Sequence, residues 1–185
     1  MKKYVTEYKP FLQFLASFFI TYLFLTFIYQ SYLNTFDEKK LEVDGITKIV
    51  ASNTKDVLSL IDTKSFTEPN TREASVNLFY KNTWVSRIIE GCNAISVLIL
   101  FISFVIAFKG KFVKTILFIS IGCLIIYFFN IVRIVLLSMA MFHYPKYQDV
   151  LHSVVFPLFI YGIVFLLWVI WVNKFSYYAK KDASK

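Results

Sequence analysis

Cysteine is nearly absent from this chain: Cys92 and Cys123 are the two among 185 residues, too few for a disulfide framework. Glycine (5) and proline (4) are scarce, which excludes collagen-like and low-complexity disordered chains. Charged residues make up only 17%, against about a quarter in ordinary soluble domains. No P-loop, HExxH, GxGxxG, CxxC pair or GxSxG occurs, so the common short signatures of nucleotide, zinc and serine-hydrolase chemistry are missing. What fills the sequence instead is apolar. Hydrophobic residues reach 57%, with 21 Phe and 12 Tyr, and the mean hydropathy is +0.59. This composition predicts a small integral membrane protein. The net charge of +8 does not point to nucleic acid, because the cations stand mostly beside long apolar runs, where they fix topology.

A helix needs about 20 apolar residues to cross the hydrocarbon layer. Four stretches are expected to do so: 11–33, about 92–108, 115–142 and 150–172. The second is short, and protein would have to shield its outer end. The first follows Lys2, Lys3, Lys9 and Pro10; it is too long for a signal peptide and lacks a small-residue cleavage site, so it reads as a retained anchor. The expected division is a cytoplasmic N-terminus (1–10), a first membrane helix (11–33), an extracytoplasmic loop (34–90), membrane helices two to four (91–174) and a basic cytoplasmic tail (175–185). The fold class is then all-α, with four transmembrane helices. Within the loop, eight Lys/Arg nearly balance nine Asp/Glu. Residues 41–60 suggest short amphipathic elements, 67–72 a turn at Pro69 and Asn70, and 76–89 a mixed stretch whose Phe79, Tyr80 and Trp84 suit an interface.

Short connections rich in Lys/Arg stay in the cytoplasm. The N-terminal segment has three such residues, the 109–114 connection three and the C-terminal tail four, whereas the 143–149 turn has only Lys146. These counts predict both termini inside and the 34–90 loop outside. Lys174, Lys180, Lys181 and Lys185 would rest on anionic inner-surface lipids. The aromatics of the spans read as lipid contact and interface belt.

This topology gathers three polar side chains near one outer layer. Cys92 opens the second span. Arg133 lies 18 residues past Thr115, roughly 27 Å at about 1.5 Å per residue. His152 opens the fourth span. A cysteine near a helix N-terminus and a cation favours its thiolate and becomes a nucleophile; alternatively, Cys92 is a small packing residue. A charge inside a span is costly and normally meets a partner. Arg133 therefore reads as a fixed cation for a thiolate, oxyanion or carboxylate, or else as an arginine reaching for headgroups. Asn130, three residues earlier, shares its helical face. His152 could act as general acid or base, or simply occupy a polar turn. His143 competes for that role; His152 is preferred because its helix can point back over Cys92. Glu90 could orient His152 or Arg133 from a supporting position. Cys123, mid-span, reads as packing.

On Glu90-Gly91-Cys92-Asn93, Asn130-Ile131-Val132-Arg133 and His152, residues 89–174 resemble the exosortase/archaeosortase family of membrane cysteine transpeptidases. The short chain is most similar to the compact exosortase F subgroup, although Cys92-Asn93-Ala94 replaces that family's frequent Cys-Ser-Gly. The resemblance implies an enzyme at the outer face of the bacterial inner membrane, with 91–174 as its catalytic part. Its substrates would be secreted proteins ending in a short motif, a transmembrane helix and a basic cluster. Cys92 would form a thioester acyl-enzyme, Arg133 would stabilise the thiolate or oxyanion, and His152 would shuttle the proton. An acceptor amine or hydroxyl, or water, would release the product. No cofactor or metal is implied. The competing expectation is a non-enzymatic membrane assembly subunit in which Arg133 pairs with a membrane-protein partner.

Overall fold

The computed structural model describes residues 8–177. Lys2, Lys3 and the lysines of the tail beyond 177 lie outside the described residues. Helix α1 spans Lys9–Leu33, with Pro10 in its first turn, where a missing N–H costs nothing. None of its side chains is buried; Phe19, Ile20, Leu23, Phe24 and Phe27 form an exposed apolar face, the pattern of a helix with one side suited to lipid.

The segment after α1 is folded. Helix α2 (Gly45–Ile61) starts at Asp44, whose Oδ1 accepts the Thr47 N–H at 2.9 Å. Strands β1 (Phe66–Pro69), β2 (Val76–Tyr80) and β3 (Thr83–Ile88) form an antiparallel sheet in that order. The all-α expectation is therefore corrected here: the chain is mostly helical but carries a sheet. Val76, Leu78 and Tyr80 alternate inward along β2, the period of a half-buried strand. Lys81 and Asn82, with φ of 53° and 61°, make the two-residue hairpin to β3. The turn expected over 67–72 begins only at Asn70, whose Oδ1 accepts the Arg72 N–H at 2.8 Å.

Two long helices complete the chain. Helix α4 covers Phe112–His143, and a helical run α5 covers Pro145–Phe175, with π-helical turns at Leu151–Val155 and Trp171–Phe175. The polar turn expected over 143–149 shrinks to Tyr144, because Pro145 presets the first turn of α5. Between the sheet and α4 lies α3 (Ile95–Ala107). Three helices, α1, α4 and α5, are long and apolar enough to cross a membrane; α3 is apolar but has 13 residues, about 20 Å at about 1.5 Å per residue. Its start is set by Ala94, a left-handed residue at φ 66° that breaks helical continuity with the preceding turn.

Two cores meet in this fold. One joins α2, the sheet and the C-terminal half of α4 through Val50, Leu58, Leu78, Ile88 and Val135. The other joins α3, α4 and α5 through Phe101, Val105, Ile126, Ile160 and Trp171. Trp171 Nε1 donates to the Phe108 carbonyl at 2.9 Å, and Gly110 pairs with Ser176, tying the ends of α3 and α5 together. Phe14 of α1 packs on Phe104 and Phe108 at that same end. Gly122 of α4 packs directly on Phe101, and a Cβ there would collide with the ring. Gly122→Leu should therefore destabilise the folded protein by about 1–3 kcal/mol through overpacking. Thermal unfolding in detergent checks this, with Gly162→Leu, where a Cβ meets nothing within 4 Å, as the tolerated control.

Candidate active site

The turn before α3 connects the two cores. Cys92 ends a 3₁₀ turn, Glu90–Cys92, and packs on the sheet-side core, while Ala94, two residues later, belongs to the helical core. Such a turn leaves backbone groups that polar side chains must satisfy, because the surroundings are apolar. Asn93, only 1% exposed, does much of this. Its Oδ1 accepts the Ile95 N–H at 2.9 Å, and its Nδ2 donates to Tyr29 Oη at 2.7 Å and Thr47 Oγ1 at 3.3 Å. Tyr29 in turn donates to Glu90 Oε1 at 2.6 Å. The turn is thereby tied to α1 and α2 at once.

From the other side, Asn130 of α4, fully buried, donates from Nδ2 to the Cys92 carbonyl at 2.8 Å. Its Oδ1 accepts from Arg133 Nη1 at 3.4 Å. One carboxamide thus links the backbone of Cys92 to the guanidinium one helical turn away. Arg133 Nε is enclosed and, among the described residues, has no hydrogen-bond acceptor.

Cys92, Arg133 and His152 all line one cavity of about 370 Å³, together with Trp84, Arg87 and Asp149 among others. Three separate chain regions supply these groups: the turn before α3, the body of α4, and the π-helical turn of α5. His152 is exposed on that turn, and π-helical turns are frequent at functional sites. His143 is not among the cavity-lining residues. Its Nδ1 lies 2.8 Å from the Met139 carbonyl, and its ring meets Tyr80, Phe142 and Tyr144.

Glu90 differs from expectation. Its carboxylate is held by Tyr29 and lines a separate, larger cavity of about 960 Å³ with Asp37, Glu42 and Asp44. It braces the cysteine turn through Tyr29, and no hydrogen bond or ion pair joins it to His152 or Arg133. Cys123 packs in the helical core. Among the described residues, no group of three His, Cys, Asp or Glu is arranged to hold a metal ion. Sequence reasoning missed Tyr29, Thr47 and the anchoring role of Asn93. The signal available was a lone asparagine at the mouth of an apolar run; nothing in the sequence pairs it with a tyrosine 64 positions earlier.

Residues 6–173 match the family model described as transmembrane exosortase (Exosortase_EpsH), far beyond the stretch that carries the short motifs. Neither the curated proteins nor the solved structures give a match.

Removing the Asn93 side chain leaves the Tyr29 hydroxyl and the Ile95 N–H short of a partner. Asn93→Ala is expected to cost about 1–3 kcal/mol and to speed labelling of Cys92 by a water-soluble maleimide as the turn loosens. Labelling of intact membranes, with Cys123 replaced by alanine, reads the rate; an unchanged rate would mean that Asn93 does not hold the cysteine.

Proposed function

The chain belongs to the transmembrane exosortase family, and from that premise we propose that it is a membrane-embedded cysteine peptidase and transpeptidase, closest to the compact exosortase F subgroup. It acts on secreted proteins that end in a recognition motif, a transmembrane helix and a basic cluster. One observation carries the reading: Cys92, Arg133 and His152, from three parts of the chain, line the same cavity.

In the proposed topology α1, α3, α4 and α5 all traverse the bacterial inner membrane, with both termini in the cytoplasm. The turn before α3 and the folded 34–90 segment then complete the thickness that α3 lacks, and the cavity opens to the periplasm. The lysines of 109–114 and Lys174 stand at the cytoplasmic end, as short-loop cations prefer.

The chemistry follows from the three groups. The Cys92 thiolate attacks the scissile carbonyl carbon, forming a C–S bond and an oxyanion. Arg133 supplies N–H donors for that oxygen; its unpaired Nε is a donor already enclosed by protein. The C–N bond breaks as His152 gives its proton to the departing amine, leaving a thioester. His152 then takes the proton of an incoming amine, hydroxyl or water, which displaces the Cys92 sulfur as thiolate and restores the starting state. Asn130 positions both Cys92 and Arg133.

Co-expression with a secreted protein of this C-terminal design, from the same genome, tests the proposal. Wild type should yield shortened substrate and a hydroxylamine-sensitive adduct on Cys92. Cys92→Ala should give neither, and His152→Ala should slow shortening by about a hundredfold or more. Arg133→Gln should be more damaging than Arg133→Lys. Full processing by Cys92→Ala would instead favour a membrane assembly subunit in which Arg133 pairs with a partner protein.

A further inference from the structure

The sheet has two unlike edges. β1 carries Glu68 and Pro69, a charge and a residue without an N–H donor, devices that keep another chain from pairing. β3 has no proline and is rich in strand-favouring residues: Thr83, Trp84, Val85 and Ile88. Its one charge, Arg87, is engaged by Glu73 at 2.6 Å. β3 is the last strand of the sheet, and its backbone makes no hydrogen bond to any described element beyond β2.

The path of this edge is informative. Val85 has no Cα partner in β2, since Ser86 pairs with Leu78 and Trp84 with Phe79, so β3 bulges there. Regular pairing resumes over 86–88. The extended backbone then continues through Ile89 (φ −107°, ψ 172°), which is exposed, and turns directly into Cys92. Residues 86–89 make an extended run of about 13 Å, at about 3.3 Å per residue, that ends at the cysteine turn. Trp84, Ser86, Arg87 and Ile88 line the same cavity as Cys92 and Arg133.

We infer that the open edge of β3 is the docking rail for substrate: the residues preceding the scissile bond add to the sheet as a fourth strand and deliver their last carbonyl to Cys92. This rests on the cysteine-transpeptidase reading. The occupant is extended polypeptide main chain, recognised by backbone hydrogen bonds, with alternate side chains entering the cavity. Its direction is fixed as well. The substrate's soluble part precedes the scissile bond and its membrane helix follows, just as β3 precedes Cys92 and α3 follows. The two chains run the same way, so the added strand pairs in parallel.

The probe is a reporter protein ending in a secreted-protein C-terminus that wild-type membranes shorten. Each of the four residues before the cleavage point is replaced singly by alanine and by proline. Because every second N–H of an added strand faces its neighbour and proline has none, proline at alternate positions should slow shortening about tenfold or more, with alanine there changing it less than about threefold. A photo-cross-linking aromatic amino acid replacing Trp84, in the Cys92→Ala protein, should attach to this reporter segment; the same group replacing Glu68 on the opposite edge should not. Matching alanine and proline profiles, or attachment from position 68 and not 84, would overturn strand addition while leaving the reaction intact. Shortening that persists in Cys92→Ala would remove the reaction and this inference together.

Discussion

The fully buried carboxamide of Asn130 is the point on which the two halves of this protein agree. A turn that opens a helix inside apolar surroundings has to find its hydrogen bonds in protein, since neither lipid nor the neighbouring Val and Ile side chains can supply them. Asn130 uses both ends of its side chain: Nδ2 for the Cys92 carbonyl, Oδ1 for Arg133. Asn93 does the same from the opposite side with Ile95 and Tyr29. Two asparagines therefore hold a five-residue turn against α1, α2 and α4. The left-handed Ala94 persists because these bonds over-determine it, and such strain gathers at working sites.

From that anchored turn the shape of the molecule follows. α3 starts at Ile95 because the preceding residues are committed elsewhere, which makes it shorter than its neighbours. Ahead of its start lies the 34–90 segment, whose sheet packs on the C-terminal half of α4 through Leu78, Ile88 and Val135. The sheet is consequently a wall of the Cys92 cavity. Arg133 lies on a helix long and apolar enough to cross a membrane, and the sheet gives it a protein wall on that side in place of lipid, where a charge is costly.

The sequence carried the helical part of this arrangement openly and the remainder poorly, for identifiable reasons. The apolar runs of α1, α4 and α5 are long and carry few charges, so their existence and approximate ends were legible. Cys92, Arg133 and His152 were legible as oddities: a thiol, a cation and an imidazole where the run of residues is apolar. The sheet was hidden because β1 has only four residues and contains Pro69, and because the β2–β3 hairpin turns on Lys81-Asn82 in place of the usual Asn-Gly or Asp-Gly signal. The start of α5 was misread because Pro145 looks like a breaker but acts as a first-turn residue. Glu90 was drawn toward the chemistry by adjacency alone. Its partner, Tyr29, is a contact of the folded chain that no local pattern encodes.

The three cavity groups are held with unequal firmness. Cys92 and Arg133 share Asn130 and sit at the junction of two cores. His152 is exposed, and the first buried residue of α5 comes only at Phe156, so the start of that helix is anchored by little besides its own backbone. Local stability follows buried contact, and loosely held segments open at low cost. The thioester route we propose asks for this asymmetry. The nucleophile and its cation must keep one geometry through both halves of the reaction, whereas the acid-base group has to serve a departing amine first and a different incoming group second. In that proposal Cys92, tied down through Asn130 and Asn93, would keep its place, while His152, exposed on its π-helical turn, would serve both the departing and the incoming group.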